Sequence, residues 1–168
     1  FEEQSIHLDT FVRLLADDWA DNQILRERIR RRLPRYGQDL DEPSEMAKMV
    51  GTMWVEEVEA ASEGLERMEM WPAFYSHLAH IRDGTRTMAT PDGRASGDAL
   101  SENLAASTGS PECSPGSVLR AMSHLPLDHT PSGAAILTLP QNAFLGEEGT
   151  VRLLSLMETY FGLGGLHL

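Results

Sequence analysis

Ala89-Thr90-Pro91-Asp92-Gly93-Arg94 is the most informative stretch of this 168-residue chain. Pro91 presets φ for a turn corner, and Gly93 permits the positive φ that a tight turn demands. Asp92 can accept hydrogen bonds from turn N–H groups or pair with Arg94. The surroundings agree, because Gly84 to Gly116 is dense in Asp, Ser, Thr, Gly and Pro. That composition predicts a long ordered loop, and loops of such length are uncommon unless they are functional or disordered.

Toward the N-terminus the chain reads as helical. Leu8, Phe11, Val12, Leu15 and Trp19 recur at helical spacing, with Asp9 or Thr10 placed to cap the first turn. The pattern breaks across Asp17-Asp18 and Ala20-Asp21-Asn22, where short polar side chains compete for backbone hydrogen bonds. A second period, Leu25, Ile29 and Leu33, runs until Pro34. Pro34 to Asp39 is turn chemistry around Gly37, and Pro43 suits the first turn of a third helix. On that helix Met46, Met49, Val50, Met53, Trp54, Val58 and Ala61 share one face. A Met-rich stripe can mark an adaptable binding groove, but at helical spacing it predicts ordinary core.

Toward the C-terminus, Ser117–Leu125 predicts a short helix and Ala134–Leu139 a buried strand. Val151–Phe161 predicts a helix with Val151, Leu154, Met157, Glu158 and Phe161 in register. Gly162, Gly164 and Gly165 end it, and Leu166–Leu168 begins a further strand. A helix between strands implies a parallel crossover.

The formal charge of −12 argues against a nucleic-acid role, since phosphate backbones are gripped by clustered Lys and Arg. Six of the 14 basic residues do cluster: Arg26, Arg28, Arg30, Arg31, Arg32 and Arg35. They read as the solvated face of a helix whose apolar face is Leu25, Ile29 and Leu33, the other reading being a patch for an anion or acidic partner. No run of 18 or more apolar residues could span a membrane. Cys113 is the single cysteine, so no internal disulfide can form, and a cytoplasmic location is the default expectation. Phe1 lacks both an initiator Met and a signal pattern, and the chain reads as cut from something longer.

The common site motifs are missing. Neither GxxxxGK[ST] nor GxGxxG occurs, and Gly162-Leu163-Gly164-Gly165 follows a helix, the wrong side for a phosphate cradle. There is no GxSxG elbow and no HExxH. His77 and His80 lie three apart without a third ligand, His124 and Asp128-His129 form a similar group, and both predict structural roles with no metal. A Cys113 nucleophile paired with His124 or His129 is opposed by Glu112, whose charge would raise the thiol pKa.

The string Ala89–Arg94 resembles a hallmark of the glycyl radical enzymes, the family of pyruvate formate-lyase and the radical diol dehydratases. The resemblance extends along the chain in order. Leu33-Pro34-Arg35-Tyr36-Gly37-Gln38-Asp39 is similar to the family's PKYGND turn, and Trp71–Ser76 to the approach to the hallmark. Ser96–Ser101 resembles AGEPLSD, Ser117–Leu125 the AVLNSVSKL helix, and Tyr160–Leu168 the approach to a barrel strand. Gln38 departs from the usual Asn, and Ala105–Cys113 departs from the family's SPSQGRD segment, which leaves the subfamily open.

This resemblance implies an α/β fold: a helical first half, residues 1–83, followed by residues 84–168 with the long ordered loop and part of a ten-stranded α/β barrel. It implies an internal fragment of a radical lyase or dehydratase, or else of a formate acetyltransferase-like enzyme, acting on a small polar organic substrate, and the departures after Arg94 favour the former. The family's glycyl radical sits in an RVxGY-like loop and is installed by a radical S-adenosylmethionine activase. Its active Cys precedes the material seen here, so Cys113 is not carried over as catalytic. With neither loop present, the segment itself carries no cofactor and is expected to be inactive alone. Expected partners are the remainder of the barrel, the activase and a further copy of the parent, with no nucleic acid and no membrane. Thr90, Pro91, Asp92, Gly93 and Arg94 are expected to be structural, and Thr138, Leu139 and Pro140, at the end of a barrel strand, to line the substrate pocket. The alternative is an acidic helical interaction module without catalytic activity.

Overall fold

A computed structural model describes residues 6–75, 78–106, 113–133, 139 and 141–166. The chain forms two compact units, each assembled from separated stretches of sequence. The first comprises the described residues of 1–33 and 78–100, and the second those of 34–77, 101–107 and 112–168.

In the first unit, helix α1 (Leu8–Ala16) and helix α2 (Gln23–Arg32) flank a non-helical corner. The residue before α1 is His7, extended and without a side-chain cap, so Asp9 and Thr10 lie inside the helix instead of capping it. Asp9 still suits the first turn, where a carboxylate meets the positive end of the helix dipole. The α1 period stops short of Trp19, because Asp18 and Trp19 adopt left-handed backbone with φ of 51° and 62°. That corner turns the Trp19 side chain inward, where it is fully buried with Ile29 and Ala89 against Phe11, Leu15, Leu25 and Leu33. Helix α2 ends as its sequence requires: Leu33, held extended (ψ 135°) by the following Pro34, cannot continue it. A further helix, α4 (Ala79–Gly84), was not foreseen. Its last residue, Gly84, is buried under residues 98–100, and a Cβ there would lie 2.5 Å from the Asp98 carbonyl oxygen.

The second unit opens with helix α3 (Asp41–Glu63), with Asp41, Glu42 and Pro43 in its first turn. The expectation that its Met-rich stripe is core is overturned. Met46, Met49, Val50, Met53 and Trp54 are each at least half exposed, while the buried residues are Ser44, Gly51 and Val55. The reason is steric: Gly51 lies so close to Pro126, Phe74 and Leu125 that a Cβ would already sit 3.1 Å from the Pro126 ring. A glycine makes that approach easy, and a larger residue would crowd it.

Helix α5 (Pro115–Ser123) begins with a capping box. The Ser114 hydroxyl accepts from Ser117 N at 3.1 Å, and the Ser117 hydroxyl accepts from Ser114 N at 2.9 Å, with Pro115 as the first helical residue. Its Val118, Leu119 and Met122 form the core with Leu104, Leu127 and Tyr160. Burial of side chains this size contributes about 1.5–3 kcal/mol each. The Tyr36–Asp39 turn is fastened to the same core. Tyr36 Oη donates to the Leu104 carbonyl at 3.1 Å, Asp39 pairs with Arg120 at 2.7 Å, and Gly37 has the positive φ of 96° expected for it.

Helix α6 (Gly146–Gly162) starts earlier than its periodicity predicts, and Val151, Leu154 and Phe161 are exposed. It reaches the core through Leu156 and Tyr160 instead. Strands β1 (Ala73–Phe74) and β2 (Ser132–Gly133) pair in parallel over two residues each. The predicted strand Ala134–Leu139 falls outside the described residues except at Leu139, and of Leu166–Leu168 only Leu166 is described.

Burial raises the pKa of Tyr36, with Tyr160 adding to the shift, and burial also raises that of Tyr160. A raised folded-state pKa contributes stability that is complete below the unfolded value of 10.0 and is lost as pH climbs from there toward the folded values. Unfolding free energy, measured by denaturant titration from pH 8 upward, is therefore expected to be flat in this respect until about pH 10 and then to fall. Tyr36→Phe should flatten that fall.

Candidate functional site

The corner predicted at Thr90–Arg94 is present, and its hydrogen bonds define it. Thr90 N donates to the Arg94 carbonyl at 3.1 Å and Gly93 N to the Thr90 carbonyl at 3.0 Å, with Gly93 at φ 91°. Asp92 takes the first of its two foreseen roles, since Oδ1 accepts from the Thr90 hydroxyl and from Arg94 N at 3.3 Å. The Arg94 guanidinium gathers backbone carbonyls, those of Asp98 at 2.6 Å, Thr87 at 3.1 Å and Met88. One cation thus binds the start of the loop to its return.

Sequence reasoning did not foresee what holds this corner from outside. Arg26 Nε donates to the Gly93 carbonyl at 2.8 Å, and the same guanidinium lies 3.8 Å from the Asp98 carboxylate. Trp19 Nε1 donates to the Arg94 carbonyl at 3.3 Å, and Asp18 Oδ1 accepts from Ser96 N at 2.6 Å. Gly93 is needed for contact as well as for φ, because a Cβ there would meet Arg30 Cγ at 2.6 Å. The solvated-face reading of the arginines is therefore corrected in part. Arg26 and Arg30 turn toward the corner, while Arg28, Arg31 and Arg32 remain exposed. Arg28→Gln with Arg31→Gln is expected to change stability by less than about 0.5 kcal/mol in thermal or urea unfolding.

The other sequence candidates are dispersed. Leu139 is half-buried, whereas Thr138, Pro140 and His77 lie outside the described residues. Cys113 packs at the edge of the second unit's core, where burial pushes its thiol up and Arg35 pulls the other way. The histidines once weighed as its partners engage α3 carboxylates: His129 Nδ1 is 3.1 Å from Glu59 and His124 Nδ1 is 3.9 Å from Glu45. No group of three His, Cys, Asp or Glu side chains suited to a metal ion occurs among the described residues. Nor does any helix among them have the length and apolarity to cross a membrane.

The family model for pyruvate formate lyase-like proteins matches residues 1–82. The relatives that follow, which include glycyl radical enzymes, are similar to the chain along nearly its whole length. Among curated proteins, the chain is 23% identical over 173 residues to trans-4-hydroxy-L-proline dehydratase of Clostridioides difficile, covering 100% of this chain and 21% of that one. It is 25% identical over 169 residues to the probable dehydratase YbiW of Escherichia coli K12, covering 96% and 21%. Among solved structures, hydroxyproline dehydratase from C. difficile superposes with a TM-score of 0.87 at 20% identity, covering 98% of this chain and 21% of that one. A glycyl radical enzyme from Archaeoglobus fulgidus superposes with a TM-score of 0.83 at 25% identity, with the same coverage. The chain thus spans about a fifth of the length of these relatives.

Proposed function

We propose that this chain is a scaffold portion of a radical dehydratase that removes water from a small hydroxylated organic substrate. The observation that carries the reading is the Thr90–Arg94 corner, fastened by Arg94 to its own loop and by Arg26 to α2, within a segment whose full-length curated relatives include dehydratases. In this reading the corner is structural, since its charged groups bind protein backbone. Leu139, with Thr138 and Pro140 that lie outside the described residues, is the candidate lining of the substrate pocket, and residues 84–168 are the portion assigned to the loop and part of the barrel.

A glycyl radical, installed by a radical S-adenosylmethionine activase, would supply hydrogen abstraction in the parent enzyme. The residues present do not fit that group: no Arg-Val-x-Gly-Tyr string occurs among the 168, and Cys113 sits against a core with its thiol raised by burial. This portion binds, orients and excludes water, a necessity where reactive intermediates must be kept from solvent.

The test uses the parent enzyme containing this segment, activated anaerobically and offered trans-4-hydroxy-L-proline, glycerol, 1,2-propanediol and 4-hydroxyphenylacetate in turn. Loss of water from one of the three hydroxylated aliphatic compounds is expected. Decarboxylation of the aryl acetate alone would instead place the parent beside the 4-hydroxyphenylacetate decarboxylase subunit of C. difficile, 27% identical over 117 residues. The 168-residue chain by itself should give no glycyl doublet in electron paramagnetic resonance.

A further inference from the structure

The corner between α1 and α2 holds a conformation its residues do not favour. Asp18 and Trp19 are successive left-handed residues, a state tolerated by Asp but an outlier for a side chain as bulky as Trp. Backbone of this kind persists only where surrounding contacts over-determine it. Three side-chain bonds run from this region to a single short segment. Asp18 holds the Ser96 amide at 2.6 Å, Trp19 the Arg94 carbonyl at 3.3 Å, and Arg26 the Gly93 carbonyl at 2.8 Å.

We propose that Asp18, Trp19 and Arg26 are positioning residues that latch the 93–98 segment, and that the latch opens locally, with the left-handed pair relaxing while α1 and α2 stay folded. The three partners on the segment are backbone groups, so the latch fixes where the chain runs whatever side chains Ala95 and Ser96 carry. Any effect of the latch on turnover rests on the dehydratase reading; the latch itself does not.

Two variants of Asp18 separate latching from strain. Asp18→Gly removes the acceptor and also relieves the left-handed backbone, whereas Asp18→Asn keeps an Oδ1 acceptor and a side chain that tolerates this conformation. Amide hydrogen exchange on the whole chain is the readout. Loss of a hydrogen bond to a charged acceptor predicts that the Ser96 amide exchanges about tenfold faster or more in Asp18→Gly. Asp18→Asn should fall between, and the α5 amides should stay at their parent rates in both. Slower exchange at Ser96 in Asp18→Gly would show that strain relief outweighs the bond, and a uniform rise through α1, α2 and the loop would show general destabilisation; either overturns the latch. In the activated parent enzyme, Asp18→Gly is expected to lower kcat/KM with rescue by Asp18→Asn. Faster Ser96 exchange with unchanged turnover upholds the latch and counts against the placement of this loop in dehydratase catalysis, while unchanged Ser96 exchange overturns the latch whatever the turnover.

Discussion

Trp19→Ala is expected to destabilise the chain by about 3–5 kcal/mol, the range for truncating a large buried aromatic side chain. Trp19 is fully buried, and its ring meets that of Phe11 edge-on, 5.9 Å between centroids at 72°. Such pairs contribute about 0.5–1.5 kcal/mol beyond the area they bury. Alanine would leave a cavity between Ile29 and Ala89 and would inherit the unfavourable φ of 62° without the packing that offsets it. Trp19→Phe retains most of the apolar area but loses the Nε1 donor, so it should cost roughly 1–2 kcal/mol. Urea unfolding of the two variants checks both figures, and an alanine variant within about 1 kcal/mol of the parent would contradict the packing described.

Tyr160→Ala should have an effect of similar size, about 3–5 kcal/mol, with a partner that makes it more diagnostic. The Tyr160 side chain is fully buried among Leu104, Leu119, Met122 and Leu127. Gly165 returns onto the ring, and a Cβ at that position would fall 2.3 Å from ring carbons. Gly165→Ala alone therefore has to displace a ring enclosed by core, at a cost of about 1–3 kcal/mol. In a Tyr160→Ala background the obstacle is gone and Gly165→Ala should be close to neutral. A double-mutant cycle is expected to show a coupling of about 1 kcal/mol or more, and simple additivity would mean that the glycine does not rest on the ring.

The parts of this fold governed by neighbours in sequence were legible from sequence. Pro34 ended α2, Pro43 began α3, Gly37 and Gly93 took positive φ, and Asp92 folded back on its own turn. The failures share one cause, which is that the deciding contact lies far along the chain. On α3 the Met stripe is the more hydrophobic face, yet Gly51 favours the observed orientation by admitting Pro126 and Phe74 so closely that an added Cβ would be crowded by them. On α6 the period through Val151 and Leu154 marks the helix but does not reveal its buried side, since Leu156 and Tyr160 make the core contact. Trp19 was placed on a helix because its spacing fits one, although two left-handed residues intervene. At the candidate site, the hallmark string pointed to the corner but not to Arg26 or Trp19, which lie 67 and 75 residues away from the carbonyls they bind.

That separation has a kinetic meaning for a chain made from its N-terminus. At synthesis rates of about 5–20 residues per second, the carbonyl that receives Trp19 Nε1, 75 residues downstream, follows it after roughly 4–15 s. Helix formation takes about a microsecond, so α1 and α2 can form and melt many times in that interval with Trp19 and Ile29 still uncovered. The first unit cannot close until the segment through Asp98 has emerged, by which time α3 has long been available to fold. The nascent chain is thus expected to pass through an interval of exposed apolar surface, when a holdase chaperone would find its best target in residues 8–33.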